Sequence, residues 1–157
     1  MSEPTTVSAD GVTLQVPEGW EQVEAPGATL AVAGPVGIAV AEGTGFRPSL
    51  TAIVVEASPD ADIRLLGTEA VAAARVVADD VHVLAYDVWP LPDGSRGRRL
   101  EFTFQHGEVP LCVRQWIALR DGRVVTLTGT TDVAHLLQHG PQLEDLATAA
   151  LATQETR

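Results

Sequence analysis

The sequence predicts an α+β fold: one antiparallel sheet of about seven strands flanked by helices, an α/β/α sandwich. Three observations carry this. Short runs alternate apolar and polar residues, as half-buried strands do. The links between them are short and rich in Gly, Asp and Pro, which favours antiparallel neighbours. The apolar period lengthens to three and four residues in only two stretches, each able to form a helix. The order is several strands, a helix, four strands, a helix. At 157 residues the chain suits one domain, 1–157, with an ordered core over about 10–152.

Each element has its own signal. Residues 1–9 are polar and read as a loose terminus, closed by the Asp10-Gly11 turn. Val12, Leu14 and Val16 alternate with Thr13 and Gln15, and Pro17-Glu18-Gly19 ends that strand before Trp20. Apolar runs at 28–33 and 36–41 flank Gly34-Pro35 and read as a hairpin, with 42–45 as a loop. Residues 49–57 are β-branched and apolar on both faces, so a strand covered on both sides is expected. Ser58-Pro59-Asp60 breaks it. Ile63, Leu66, Ala70, Ala73 and Val77 then form a helical stripe with Asp62 as its N-cap; Gly67 would allow a later start near Thr68.

Strands follow at 81–89, 98–105, 109–120 and 123–130. Asp121-Gly122 is the strongest local signal, a two-residue type I′ hairpin turn. A tight turn there sets Leu119 against Val124, Ile117 against Thr126 and Trp116 against Leu127. These pairs fall on both faces, so the hairpin belongs in the middle of the sheet. Asp132 caps a last helical region, interrupted near Gly140-Pro141 and continued by Leu143, Leu146, Ala147 and Ala150.

Composition removes several functions. The net charge is −11, and all ten basic residues are Arg. Such a chain repels phosphate backbones and anionic lipid, so neither nucleic acid nor membrane is an expected partner. The densest basic cluster, Arg96, Arg98 and Arg99, has Asp93 and Glu101 beside it and reads as a solvated hairpin end with local ion pairs. The single cysteine, Cys112, cannot form an internal disulfide. No window reaches the roughly 18 apolar residues of a membrane span, and residues 1–6 show no secretory pattern, so the chain reads as cytoplasmic.

Three segments carry a resemblance. They are Pro17-Glu18-Gly19-Trp20, Phe46-Arg47-Pro48-Ser49-Leu50, and Arg114-Gln115-Trp116-Ile117 with 121–130. In this element order they resemble the LpqN/LpqT family, grouped with PsbP-like, DcrB-like and Ran-binding Mog-type proteins. The resemblance spans about residues 10–152. It implies an α/β/α sandwich and an accessory or binding role. It brings no catalytic residue. LpqN-type members carry a lipoprotein signal, which residues 1–6 do not show.

The search for chemistry is short. His135 and His139 lie four apart, with Asp132 or Glu144 as a third ligand, but the Glu of the zinc-protease pattern is replaced by Leu136. Surface histidines at a helix end are the simpler reading, and no metal or cofactor is expected. Cys112 shares its strand face with Arg114, yet reads as a packed small hydrophobe. Residues 42–45 lack the Lys and spacing of a phosphate loop, and no G-x-S-x-G elbow exists. Four residues remain as candidate contacts for a ligand or partner: Trp20, Phe46, Arg47 and Trp89. Trp20 and Trp89 are expected at a partly exposed groove, whereas Trp116 is expected beneath a helix. The bland alternative has Phe46 plugging the core and Arg47 bonding loop carbonyls.

The sequence therefore reads as a non-enzymatic accessory protein. It would engage a protein partner as an adaptor or chaperone for an exported protein. The alternative is a small-ligand domain with a pocket between sheet and helix near Phe46, Arg47 and Trp89. A second copy of the chain could equally cover an exposed sheet face, as a homodimer.

Overall fold

The computed structural model describes residues 5–36 and 46–151. Nine strands and two helices are defined among them. Strands β1 (Thr5–Ala9) and β2 (Val12–Val16) form a separate two-stranded hairpin. Strands β3 (Glu21–Gln22), β4 (Leu30–Ala33), β5 (Ser49–Glu56), β6 (His82–Pro90), β7 (Arg96–His106), β8 (Val109–Arg120) and β9 (Arg123–Asp132) form an antiparallel sheet. Its spatial order is β3-β4-β5-β9-β8-β7-β6. Helix α1 (Ile63–Arg75) follows β5, and α2 (Leu136–Ala150) follows β9 through a 3₁₀ turn at Val133–His135.

The polar terminus is ordered from Thr5. Its β-branched Thr5, Thr6 and Val7 pair with β2 across Asp10-Gly11, where both turn residues have positive φ. The same chemistry closes β8 onto β9. Asp121 (φ 51°) and Gly122 (φ 72°) make the primed turn, and Leu119, Ile117 and Trp116 face Val124, Thr126 and Leu127 as expected. β9 is the central strand, and β8 lies beside it.

The hairpin expected around Gly34-Pro35 does not form from β4. Both edges of β4 are taken, by β3 on one side and β5 on the other. Of its expected second run only Val36 lies among the described residues, and it is exposed. The loop expected at 42–45 lies outside them.

Two apolar cores lie on opposite faces of the sheet. One buries β2, β4, Leu50, Ala52, Trp116 and Leu127 against Leu143, Leu146 and Ala147 of α2. The other is smaller and packs Ala74 of α1 on Leu100, Phe102 and Val113. Asp62 caps α1 as expected, its Oδ1 accepting from the Arg64 backbone N–H at 2.8 Å. The buried face of α1 runs through Gly67 and Ala74, not Ala73 and Val77: Ala73 is exposed, and Val77 lies past the helix end. Gly67 marks the close approach. A Cβ there would sit 2.1 Å from the Tyr86 hydroxyl.

α1 covers only part of its face. On β5 the α2 side is sealed, whereas Ile53 is 38% and Val55 51% exposed on the other side. The expectation that β5 is covered on both sides fails, because α1 packs chiefly over β6, β7 and β8.

α2 runs unbroken through Gly140-Pro141. Proline disfavours a helical residue before it because its ring meets that residue's Cβ. Gly140 has no Cβ, so the helix continues. The Gly140 carbonyl accepts from Arg114 Nη1 at 3.2 Å.

Candidate functional site

A groove of about 1100 Å³ opens between the β1–β2 hairpin, the turn after β2, edge strand β3 and helix α2. The turn is local chemistry. Trp20 N–H donates to the Pro17 carbonyl at 3.0 Å, and Gly19 takes φ 81°, the positive value a type II turn needs at that position. This throws Trp20 inward. Its indole lies over Gly34, where a Cβ would stand 2.7 Å from Trp20 Cε2 and 3.0 Å from Pro48 Cγ. Trp20 is therefore 8% exposed and forms the floor of the groove with Val16 and Leu146.

The rim is acidic. Glu18, Glu21 and Asp145 line it, and among the described residues no Arg or His does. Arg47 stands just behind. Its Nε donates to the Gly34 carbonyl at 2.8 Å, and its Nη2 donates to Glu21 Oε1. Among the described residues, Glu18 and Asp145 have no ion-pair partner.

The structure thus brings Trp20 and Arg47 together at one sheet edge, through Gly34, Pro48 and Glu21. Phe46, half-buried, precedes Arg47 in the chain. Trp89 is not with them. It lies on β6, the opposite edge of the sheet, and is 7% exposed against Gly97. The width of the sheet separates Trp89 from Phe46 and Arg47, and neither Trp20 nor Trp89 is the partly exposed residue expected. Tight backbone approach buries both, and nothing local encodes it. Trp116 lies beneath α2 as expected, fully buried beside Gly129 and Leu143. The sequence reading missed Asp145, Gln142 and the β1 residues Thr5 and Val7, because α2 and the terminal strand meet only in three dimensions.

The remaining chemical candidates settle into structure. Arg99 and Arg114 are mostly buried and share Glu101: Arg114 Nε donates to its Oε2 at 2.9 Å and Arg99 Nη2 at 3.1 Å. Glu144 of α2 completes the network, with its Oε1 3.4 Å from Arg99 Nε. Of the expected solvated hairpin end, Arg96 is exposed and Arg99 makes the expected local ion pair with Glu101, but that pair belongs to a largely buried tie between β7, β8 and α2. Cys112 lies on the same face. Burial, reinforced by Glu101 and opposed by Arg114 and Arg99, pushes its thiol up to about 11.

Asp132 begins the 3₁₀ turn but does not cap it with its side chain. Its Oδ2 meets His135 Nδ1 at 2.5 Å, and both side chains are largely buried. His139 is buried too, its Nδ1 3.2 Å from Gln142 Oε1, so these are not surface histidines. Among the described residues no three His, Cys, Asp or Glu side chains are grouped to hold a metal ion.

The fold is that of three solved proteins. The chain superposes on cyanobacterial PsbP (CyanoP) from Synechocystis with a TM-score of 0.65 at 16% identity, covering 94% of this chain and 89% of that one. LpqN of Mycobacterium tuberculosis, involved in cell envelope biogenesis, gives 0.64 at 16% identity, with 94% and 87% covered. The Ran-binding protein Mog1p of Saccharomyces cerevisiae gives 0.54 at 10% identity, with 90% and 84% covered. The chain has the PsbP-like, Mog-type fold that its sequence resembled. Compared with models of protein families and with curated proteins, the sequence matches none. Among the described residues, no helix is long and apolar enough to cross a membrane.

Proposed function

We propose that this protein is a non-enzymatic accessory module that binds a protein partner through the groove floored by Trp20. The groove carries the reading. It is open, apolar at its base and charged at its rim, the arrangement of a recognition surface. The fold supports it by analogy alone, since Mog1p binds Ran and LpqN serves the cell envelope. An adaptor or chaperone for an exported protein is the form of partner binding we favour.

Site-specific photocrosslinking tests this. A benzophenone side chain is placed at Gln15, on the groove rim, and separately at Glu69, exposed on α1. Crosslinking in cells of the source organism should give one dominant adduct from position 15 and none from position 69. Mass spectrometry of the adduct then shows whether the partner is an exported protein. An absence of adduct at 15, or the same adduct from both positions, refutes the groove as the binding site.

A further inference from the structure

We infer that the groove takes a basic segment of a protein partner, one carrying Arg or Lys beside apolar side chains. This rests on the groove being a protein-binding site and adds the chemistry of its occupant. At about 1100 Å³ it lies at the upper end of the roughly 300–1,000 Å³ range of ligand sites, and it is an open groove, not an enclosed cavity. Among the described residues the charge on its walls has one sign, from Glu18, Glu21 and Asp145. Arg47, behind Glu21, is already committed to Glu21 and to the Gly34 carbonyl. Glu18 and Asp145 are left as free acceptors at exposed positions on opposite walls, one in the turn after β2 and one on α2.

An acidic or phosphorylated segment would meet these carboxylates and the −11 of the whole molecule. A neutral apolar segment would leave the rim unanswered. A basic segment satisfies both parts of the groove: its cations reach Glu18 and Asp145, and its apolar side chains rest on Val16, Trp20 and Leu146. A second copy of this chain brings 21 carboxylates against ten Arg, so it is a poor occupant.

The probes are three synthetic heptapeptides, alternating Arg/Val, Glu/Val and Arg/Ser, measured by calorimetry on the full chain. The Arg/Val peptide should bind, and the other two should bind at least ~10-fold more weakly. The double variant Glu18→Lys/Asp145→Lys should weaken Arg/Val binding by ~10-fold or more, and affinity in the wild type should fall with salt. Glu69→Lys/Asp79→Lys makes the same change in net charge away from the groove and should leave affinity within about twofold. Both pairs are exposed, and circular dichroism checks that each variant folds. Equal binding of the Glu/Val peptide, equal loss in the two double variants, or no binding of Arg/Val overturns the inference. If that happens while the adduct at position 15 persists, the groove still binds a protein and only the occupant's chemistry is wrong. If the adduct is also lost, the binding site itself is wrong.

Discussion

Cys112 shares a sheet face with Arg99 and Arg114, a setting that by charge alone would favour the thiolate. Burial outweighs both cations, and Glu101 adds to it, so the thiol is pushed up to about 11 from an ordinary 9.0. The folded state then holds its proton more tightly than the unfolded one. This contribution to stability is whole below pH 9 and is lost as pH rises from 9 towards 11. Native protein should resist iodoacetamide at about pH 8 and react fully once unfolded. Rapid native labelling at that pH would show the thiol to be accessible. The residue type was legible in the sequence as a packed small hydrophobe. The burial that decides its reactivity comes with the assembled sheet, where Cys112 lies between Thr103 of β7 and Thr131 of β9.

Helix α1 shows which elements could be read directly. Asp62 caps it because a short carboxylate can turn back onto a free N–H two residues on, and that geometry is local. Asp62→Ala should cost about 1 kcal/mol, with no change in the denaturant slope of unfolding. A loss below a few tenths of a kcal/mol would mean that water replaces the carboxylate at no cost. The Asp-Gly turns were legible for the same reason, since few residue pairs accept positive φ twice in succession. The stripe on α1 was legible at Ile63, Leu66 and Ala70, which are partly buried, and missed at Gly67, which sits where Tyr86 and Arg98 come closest. β1 was missed because its five residues pair only with β2, and a polar strand has no apolar period to reveal it.

At the scale of the molecule, Glu101 joins the layers. It accepts from Arg99 on its own strand and from Arg114 on β8, and both cations reach Glu144 on α2. Its side chain is 14% exposed. Glu101→Gln leaves two mostly buried guanidinium groups sharing one carboxylate and should cost about 3 kcal/mol, read by urea denaturation. Glu144→Gln removes the more exposed partner, at 39%, and should cost under about 1 kcal/mol. Equal costs for the two would show that Glu101 is solvated in the native state.

The sequence by itself determined the turns, the helix cap, the α+β class and the register of the β8–β9 hairpin. Each depends on steric rules acting over a few neighbouring residues. The tertiary structure alone decided the rest. It sent Trp89 to one edge of the sheet and Trp20 to the other, buried both, and left Ile53 and Val55 uncovered on β5. It also brought Glu18 and Asp145 to face one groove from positions far apart in the chain. Burial and charge proximity depend on which distant segments pack together, and a local pattern of residue types does not specify that choice.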